Sequence, residues 1–206
     1  MSSDASKDSS LGSAPIGAFC SQLAAKVPTP GGGAAAAVSA ALGSAAACMS
    51  AAYTQRKKDV DNGAAVLAKM LSAKLEQGAL DALAAGDADA AAYAALQRSW
   101  KDSDMAAEQR AAIEAEALRV PVDLIRLCHR HVEAIEAFIP HCNPQITSDA
   151  KVGIHLLAGA ARAAFQTALV NKPSEADTNS LRRLLEDIRA AEDRALGLQM
   201  RVDRGW

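Results

Sequence analysis

Aromatic residues and an excess of either charge are what this 206-residue sequence lacks. Phenylalanine, tryptophan and tyrosine make up 3% of the residues, although half of all residues are hydrophobic. The apolar share therefore comes from alanine and aliphatic side chains, a composition that favours helices. With 22 basic against 24 acidic residues, the chain has no excess of positive charge to bind a phosphate backbone, so we expect no nucleic-acid partner.

Closely spaced cysteine pairs are also missing, and we expect no signal peptide. The four cysteines include no CxxC pair, which favours small buried side chains in a reducing compartment over a zinc or disulfide framework. His129 and His131 diverge on a helix, so we expect no metal site. Residues 1–14 are polar and lack an apolar core. We interpret them as a disordered tail, followed by one domain over residues 15–206 of a cytoplasmic protein.

Charge is absent from residues 31–55, a run long enough to cross a bilayer. The run has few strongly lipophilic side chains, so insertion would be poorly driven and we expect no membrane span. Small residues instead recur at every fourth position, at Ser39, Gly43, Ala47 and Ala51. This spacing predicts a central helix that another helix approaches closely, inside one chain or across a subunit boundary.

Prolines and glycines divide the chain into predicted helices. Pro28 and Pro30 end a first helix at 16–26, and three glycines open the central helix. These glycines offer unpaired amide donors to an anion or a carbonyl, or they form only a flexible turn. The other predicted helices span 61–84, a segment from 88, 105–138, 150–170 and 178–202. The helix at 105–138 is kinked or divided at Pro121, and the helix at 150–170 is capped by Ser148 or Asp149. The apolar side predicted for 61–84 includes Val66, Met70, Leu71, Leu75 and Leu80.

Two aspartates lie close together after Gly86. Asp87 is predicted to cap a helix that begins at Ala88, because Gly86 would break the preceding helix. Asp89 would share a helix face with Tyr93, which turns its carboxylate toward packed surface. There its pKa would rise and it could exchange protons near neutrality; alternatively it only complements the helix dipole.

Four segments, taken together, resemble a known family. They are PTPGGG at 28–33, DADAAAY at 87–93, CNPQITSDAKV at 142–152 and VN at 170–171. In this order they resemble the cyclodeaminase domain of formiminotransferase-cyclodeaminase and the related bacterial methenyltetrahydrofolate cyclohydrolases, over nearly the whole chain. The resemblance implies an all-α bundle of long helices around the Ala/Gly-rich helix, usually assembled as a homodimer, with a folate site at breaks between helix ends.

The resemblance also implies residue roles. Asp89 is the counterpart of the catalytic aspartate. In the implied reaction, N10 of 5-formiminotetrahydrofolate attacks the formimino carbon and ammonia leaves, which gives 5,10-methenyltetrahydrofolate. The folate is the substrate, and no metal or redox cofactor is needed. The other matched positions, implied only to form the pocket, are Pro30, Gly31, Gly32, Gly33, Lys57, Lys58, Asn143, Ser148, Asp149 and Asn171.

Two alternatives stay open. A methenyltetrahydrofolate cyclohydrolase would open the methenyl bridge with water and would need much the same site. The second alternative is a catalytically altered member that binds another ligand, because several positions near the motifs depart from the family pattern. These positions are Arg56, Val60, Ala91, Lys151 and Thr167.

Overall fold

The computed structural model describes residues 10–197, and this part of the chain is all-α, as predicted. A short 3-10 turn at Ile139–His141 precedes the sixth helix. The seven helices are α1 (Ile16–Leu23), α2 (Gly32–Ala52), α3 (Lys57–Asp61), α4 (Ala64–Lys101), α5 (Ala107–Phe138), α6 (Thr147–Val170) and α7 (Glu175–Leu196).

The Ala/Gly-rich helix α2 lies at the centre of the bundle, packed mainly against α4 and α6. A Cβ added to Gly43 would lie 3.0 Å from the carbonyl oxygen of Gly153 on α6, and one added to Gly153 would lie 2.7 Å from the Cβ of Ala47. The two backbones therefore nearly touch, which only small residues permit. The predicted close approach is confirmed, and it occurs within one chain.

By length and composition alone, α2 could also cross a membrane. In the bundle, 56% of its most apolar window is buried, which is typical of the core helix of a globular protein. Its remaining surface forms a stripe without charge, which includes Val38, Leu42, Met49 and Tyr53. This uncharged stripe bears on the assembly of the protein.

Helix α4 is one continuous helix, so the predicted break at Gly86 and the cap at Asp87 are wrong. A glycine inside a helix is unfavourable by about 1 kcal/mol, which packing can offset. Here a Cβ on Gly86 would collide with the side chain of Leu11 and lie 3.0 Å from the Cβ of Ala37. Gly86 thus makes room for neighbours and does not end the helix.

The apolar side predicted for α4 is only partly right. Leu71 and Leu75 are buried, whereas Val66, Met70 and Leu80 are more than half exposed. The buried face is built instead from small residues that let α2 and α5 come near, namely Ala68, Gly78, Ala82 and Gly86. A prediction from the large side chains alone therefore placed part of the buried face wrongly, because alanine and glycine make the contacts between the helices.

Several predicted helix ends need correction. Helix α5 is not divided at Pro121, which is buried inside it. Helix α1 ends at Leu23, three residues before the predicted end at residue 26. Helix α6 begins at Thr147 with Ile146 in the cap position, so Ser148 and Asp149 lie in its first turn and do not cap it.

The two chain ends are described only in part. Of the predicted tail 1–14, residues 1–9 lie outside the described residues, and residues 10–14 form a turn beside α4. Helix α7 begins at Glu175, where Ser174 accepts a hydrogen bond from the amide of Asp177, and it ends at Leu196. The rest of the helix predicted at 178–202 lies outside the described residues.

Candidate active site

A cleft of about 420 Å³ lies where the N-terminus of α2 meets the middle of α4 and the C-terminus of α6. The chain ends and turns supply its polar groups, and α4 supplies an apolar wall. Three motifs predicted to form the site come together here: the glycines Gly31, Gly32 and Gly33, the acid Asp89, and Asn171. Tyr93, Leu96, Gln166 and Thr167 also line the cleft.

The glycine turn brings the helix N-terminus directly under the carboxylate of Asp89. Gly31 occupies the cap position in an extended conformation, and no side chain caps the helix. A Cβ on Gly33 would overlap the carboxylate atoms of Asp89, whereas a Cβ on Gly32 would meet nothing within 4 Å. Gly33 is therefore the glycine that the carboxylate requires, and the uncapped amides beside it are free to donate to a ligand.

The carboxylate of Asp89 is half-buried, and none of the hydrogen bonds among residues 10–197 uses it. Burial raises the pKa of Asp89 above its ordinary value of 3.8. The cause is the loss of water around the charged form beside apolar side chains of α4. The raised pKa and the position in a cleft together make Asp89 a candidate for proton transfer.

Asn171 presents an oriented amide at the end of α6. Its Nδ2 donates to the carbonyl oxygens of Ala117, at 2.8 Å, and of Thr167, at 3.3 Å. Two carbonyl partners fix which end of the amide is the donor. Among the described hydrogen bonds, Oδ1 has no partner, so Asn171 keeps an acceptor at the edge of the cleft.

Pro30 lies just outside this cleft, in a second cavity that Asp87 and Gly86 also line. Thr29, its neighbour, lines both cavities. The turn at residues 29–30 therefore separates the cleft from the space beneath the N-terminal segment.

The other residues implied by the resemblance do not line the cleft. They are Lys57, Lys58, Asn143, Ser148 and Asp149, and they lie where α2 ends and α6 begins. Helix α2 has 21 residues, which at 1.5 Å per residue separates its two ends by about 30 Å. One chain therefore cannot bring both groups of residues around a single folate.

At this far end, the polar side chains bind one another. Arg56 donates to both carboxylate oxygens of Asp59, at 2.7 and 2.8 Å, and to Oδ1 of Asn143, at 2.6 Å. Hydrogen bonding to Arg56 lowers the pKa of Asp59. Asn143 also donates from Nδ2 to the carbonyl of Tyr53 and from its backbone to Oγ1 of Thr54. Asn143 is 5% exposed and ties the two helix ends together.

The sequence reasoning missed Gln166, which lines the cleft from the last turns of α6. Its signal was weak: a polar residue near the C-terminus of an alanine-rich helix, five positions before Asn171. It also missed Asp59 as the partner of Arg56, although the i, i+3 spacing of the two residues allows that pair on a helix start.

Metal ligands are not assembled in the described part of the chain, where no three His, Cys, Asp or Glu side chains cluster. His131 is buried against Gly78, with Nδ1 3.0 Å from Oγ of Ser44. Burial lowers the pKa of His131 to about 4, so the ring is neutral and serves the core. His129 lies near Glu133 and Asp187 instead, at 3.6 and 4.0 Å.

Comparison with known proteins agrees with this architecture. Residues 15–190 match the family described as Formiminotransferase-cyclodeaminase. The fold is similar to the crystal structure of formiminotetrahydrofolate cyclodeaminase from Thermotoga maritima, with a TM-score of 0.72 and 24% identity over 94% of this chain and 96% of that one. Curated protein sequences give no match. The resemblance read from the motifs is thereby confirmed, and the chain belongs to the formiminotransferase-cyclodeaminase family.

Proposed function

We propose that the protein is a cytoplasmic formiminotetrahydrofolate cyclodeaminase, which converts 5-formiminotetrahydrofolate to 5,10-methenyltetrahydrofolate and ammonia. The observation that carries the proposal is the carboxyl group of Asp89, which has a raised pKa and faces uncapped amides across Gly33 in a cleft. The family gives the reaction class, and the residues of the cleft match its requirements.

Proton transfer is the task assigned to Asp89. When N10 bonds to the formimino carbon, N10 must lose a proton, and the nitrogen that departs as ammonia must gain one. A single carboxyl group near both nitrogens can accept the first proton and donate the second, so it returns to its starting state. Because burial raises the pKa of Asp89, its carboxyl group holds a proton for donation more readily than an ordinary aspartate does. No metal or redox cofactor takes part in this scheme.

The remaining groups would bind and orient the folate. The amides of the glycine turn donate to a carbonyl or an anionic group, and Oδ1 of Asn171 accepts from an N–H group. Tyr93 and Leu96 offer an apolar surface to a flat ring. Holding N10 and the formimino carbon in contact supplies much of the rate enhancement expected of such a site.

A second copy of the chain would complete the site. The exposed stripe of α2 carries no charge along its whole length, with Leu42 47% exposed near its middle and Met49 42% exposed. Soluble proteins cover such surfaces with a partner. If two copies of α2 pack antiparallel about a two-fold axis, the far end of one copy meets the cleft of the other. Lys57, Lys58 and Ser148 of the partner subunit would then border the folate, as the motif pattern implies.

The cyclohydrolase reaction is the second candidate, because the same half-buried carboxyl group could activate water for attack on the methenyl carbon. A spectrophotometric assay separates the two. Cyclodeaminase activity makes the methenyl absorbance appear from 5-formiminotetrahydrofolate, and cyclohydrolase activity makes it decay faster than its spontaneous rate. A thermal shift with a reduced folate, without turnover, would indicate a family member that only binds.

The decisive variant is Asp89→Asn, which keeps size and shape and removes the titrating group. We expect kcat to fall by about 100-fold or more, the usual effect of losing a general acid–base. Asp81→Asn is the matched control, because Asp81 is an exposed aspartate on the same helix. Undiminished turnover in Asp89→Asn would remove Asp89 from the mechanism, and wild-type protein with neither turnover nor thermal shift would end the folate proposal.

A further inference from the structure

The N-terminal arm, residues 10–30, is attached to the bundle at few points. Helix α1 makes no extensive contact with another helix in the described structure, and Phe19 is its only buried residue. Ile16 and Val27 are 67% and 51% exposed. Segments with so few buried contacts open locally at little expense of free energy. The few contacts that do hold the arm on the bundle therefore control how readily it opens.

Asp87 supplies one of these attachments. The backbone amide of Leu11 donates to Oδ1 of Asp87 at 3.0 Å, and this bond is partly buried. The side chain of Leu11 fills the notch left by Gly86, where a Cβ would overlap it. One turn of α4 thus holds the arm with a hydrogen bond and an apolar contact together.

The same turn of α4 also faces the cleft. Asp87 and Asp89 are two positions apart, so their side chains leave the helix on different sides. Asp87 lines the cavity beneath the arm together with Thr29 and Pro30, and Asp89 lines the cleft together with Thr29 and the glycines. The arm therefore leads from the Asp87 contact, through helix α1, to the turn that lines the cleft beside Asp89.

We propose that Asp87 is a positioning residue, which latches the N-terminal arm through Leu11 and thereby holds the glycine turn in register with Asp89. With the latch closed, residues 29–33 form one wall of the cleft. With the latch open, the arm no longer restrains this wall, and the cleft loses its preformed binding geometry. The structural part of the proposal is independent of the proposed function, whereas the kinetic part rests on it.

Trypsin digestion tests the latch itself. Lys26 is the only basic residue of the arm, so cleavage after it reports opening of the arm. Asp87→Ala, which removes the acceptor, should shift the latch about fivefold toward the open arm, as expected for one partly buried hydrogen bond, and so speed this cleavage by up to about fivefold. Asp87→Asn keeps an oxygen acceptor and should stay near wild type. Glu76→Ala, an exposed position on α4, is the neutral control. Leu11→Ala opens the same latch from the other side, should Asp87→Ala fold poorly.

Hydrogen exchange tests the coupling to the glycine turn. In Asp87→Ala or Leu11→Ala, amides in peptides that cover residues 29–38 should exchange faster than in wild type and in Asp87→Asn. Equal exchange there, in a variant whose arm is cleaved faster, would overturn the positioning role. Cleavage after Lys26 at the wild-type rate in both variants would overturn the latch, as would an Asp87→Asn variant cleaved as fast as Asp87→Ala.

Kinetics add a readout that a merely structural contact would not move. Since only the closed arm presents a formed cleft, Asp87→Ala should raise KM with kcat little changed. The same shift in the latch equilibrium drives both effects, so the factor by which KM rises multiplied by the factor by which cleavage speeds up should come to about five. A loss confined to kcat would contradict the positioning role. If wild-type protein turns over neither folate substrate, the proposed function fails, and the proteolysis and exchange measurements still decide the latch.

Discussion

The two ends of α2 use polar residues in opposite ways. At its N-terminal end, the amides beside Gly31, the carboxylate of Asp89 and Oδ1 of Asn171 have no hydrogen-bond partners among the described residues. At its C-terminal end, Arg56 and Asn143 use their polar groups on neighbouring groups. Buried or half-buried groups that are left unpaired are unfavourable for stability. The difference indicates a ligand site at the first end and a structural clamp at the second.

The largest effect should come from closing the space under Asp89. Gly33→Ala places a methyl group where the carboxylate lies, and the carboxylate, which ends a flexible side chain, has to move. We expect kcat to fall about 100-fold, because a displaced general acid–base no longer reaches the reacting nitrogens. Steady-state kinetics with circular dichroism as a check on folding would measure this.

Gly32→Ala is the matched control for Gly33→Ala. It adds the same methyl group one residue earlier, where nothing lies within 4 Å. The carboxylate of Asp89 keeps its place in this variant, so kcat should stay within about threefold of wild type, and any loss should appear in KM because Gly32 lines the cleft. Equal losses in the two variants would show that the turn needs flexibility in general and would weaken the claim that Gly33 makes room for Asp89.

The second prediction concerns whether the N-terminal end of α2 in one subunit meets the C-terminal end of α2 in its partner. Asp89→Asn should be inactive because it alters the cleft. A Lys57→Ala, Lys58→Ala double variant should be inactive because it alters the far end of α2. In a mixture of the two, a mixed dimer carries both defects in one site and none in the other. Co-refolded protein should therefore recover about a quarter of wild-type activity, since about half of the dimers are mixed. Recovery would be absent if both groups served the same subunit, and a lysine double variant that is active on its own would show that the lysines are not needed.

Only part of this difference between the two ends of α2 could be predicted from the sequence. The helical class, the central small-residue helix and the meeting of PTPGGG with Asp89 were all accessible, because they depend on composition, spacing and motif. The pairing state of Asn143 was not, since it depends on Arg56 and Tyr53, which reach it only in the folded chain. The prediction that Gly86 breaks the helix was wrong for the same reason, because a glycine that breaks a helix and one that makes room for Leu11 look alike in sequence.

The third effect concerns the clamp. Asn143→Ala leaves the carbonyl of Tyr53 and the amide of Gln145 without side-chain partners and removes the acceptor for Arg56. We expect the free energy of unfolding to drop by about 2–3 kcal/mol. Asn179→Ala, at an exposed position on α7, is the control. Chemical denaturation would measure both, and a loss of activity in Asn143→Ala without loss of stability would reassign Asn143 to the folate site.

The smallest effect is a gain in stability, and its sign separates the two ends most directly. Burial raises the pKa of Asp89, so the folded state holds its proton more tightly than the unfolded state does. Stability tied to this group is then present below the ordinary pKa of 3.8 and is lost as pH rises through the folded pKa. Asp59 behaves in the opposite way, because hydrogen bonding to Arg56 lowers its pKa, and the stability it contributes is lost as pH falls.

Asp89→Asn should therefore raise the melting temperature at pH 7, because ionisation of this carboxyl group stabilises the unfolded chain more than the folded protein. Below the ordinary pKa of 3.8 both proteins carry a neutral group at this position, and the difference should vanish. Differential scanning calorimetry of the two proteins across that range would measure it, with Asp81→Asn as the control for loss of one carboxylate from the same helix. A variant that is inactive yet more stable near neutrality identifies a group kept for chemistry. Equal or lower stability at pH 7 would mean that the folded protein solvates the carboxylate of Asp89 well, and the argument for its role as a proton carrier would lose its physical basis.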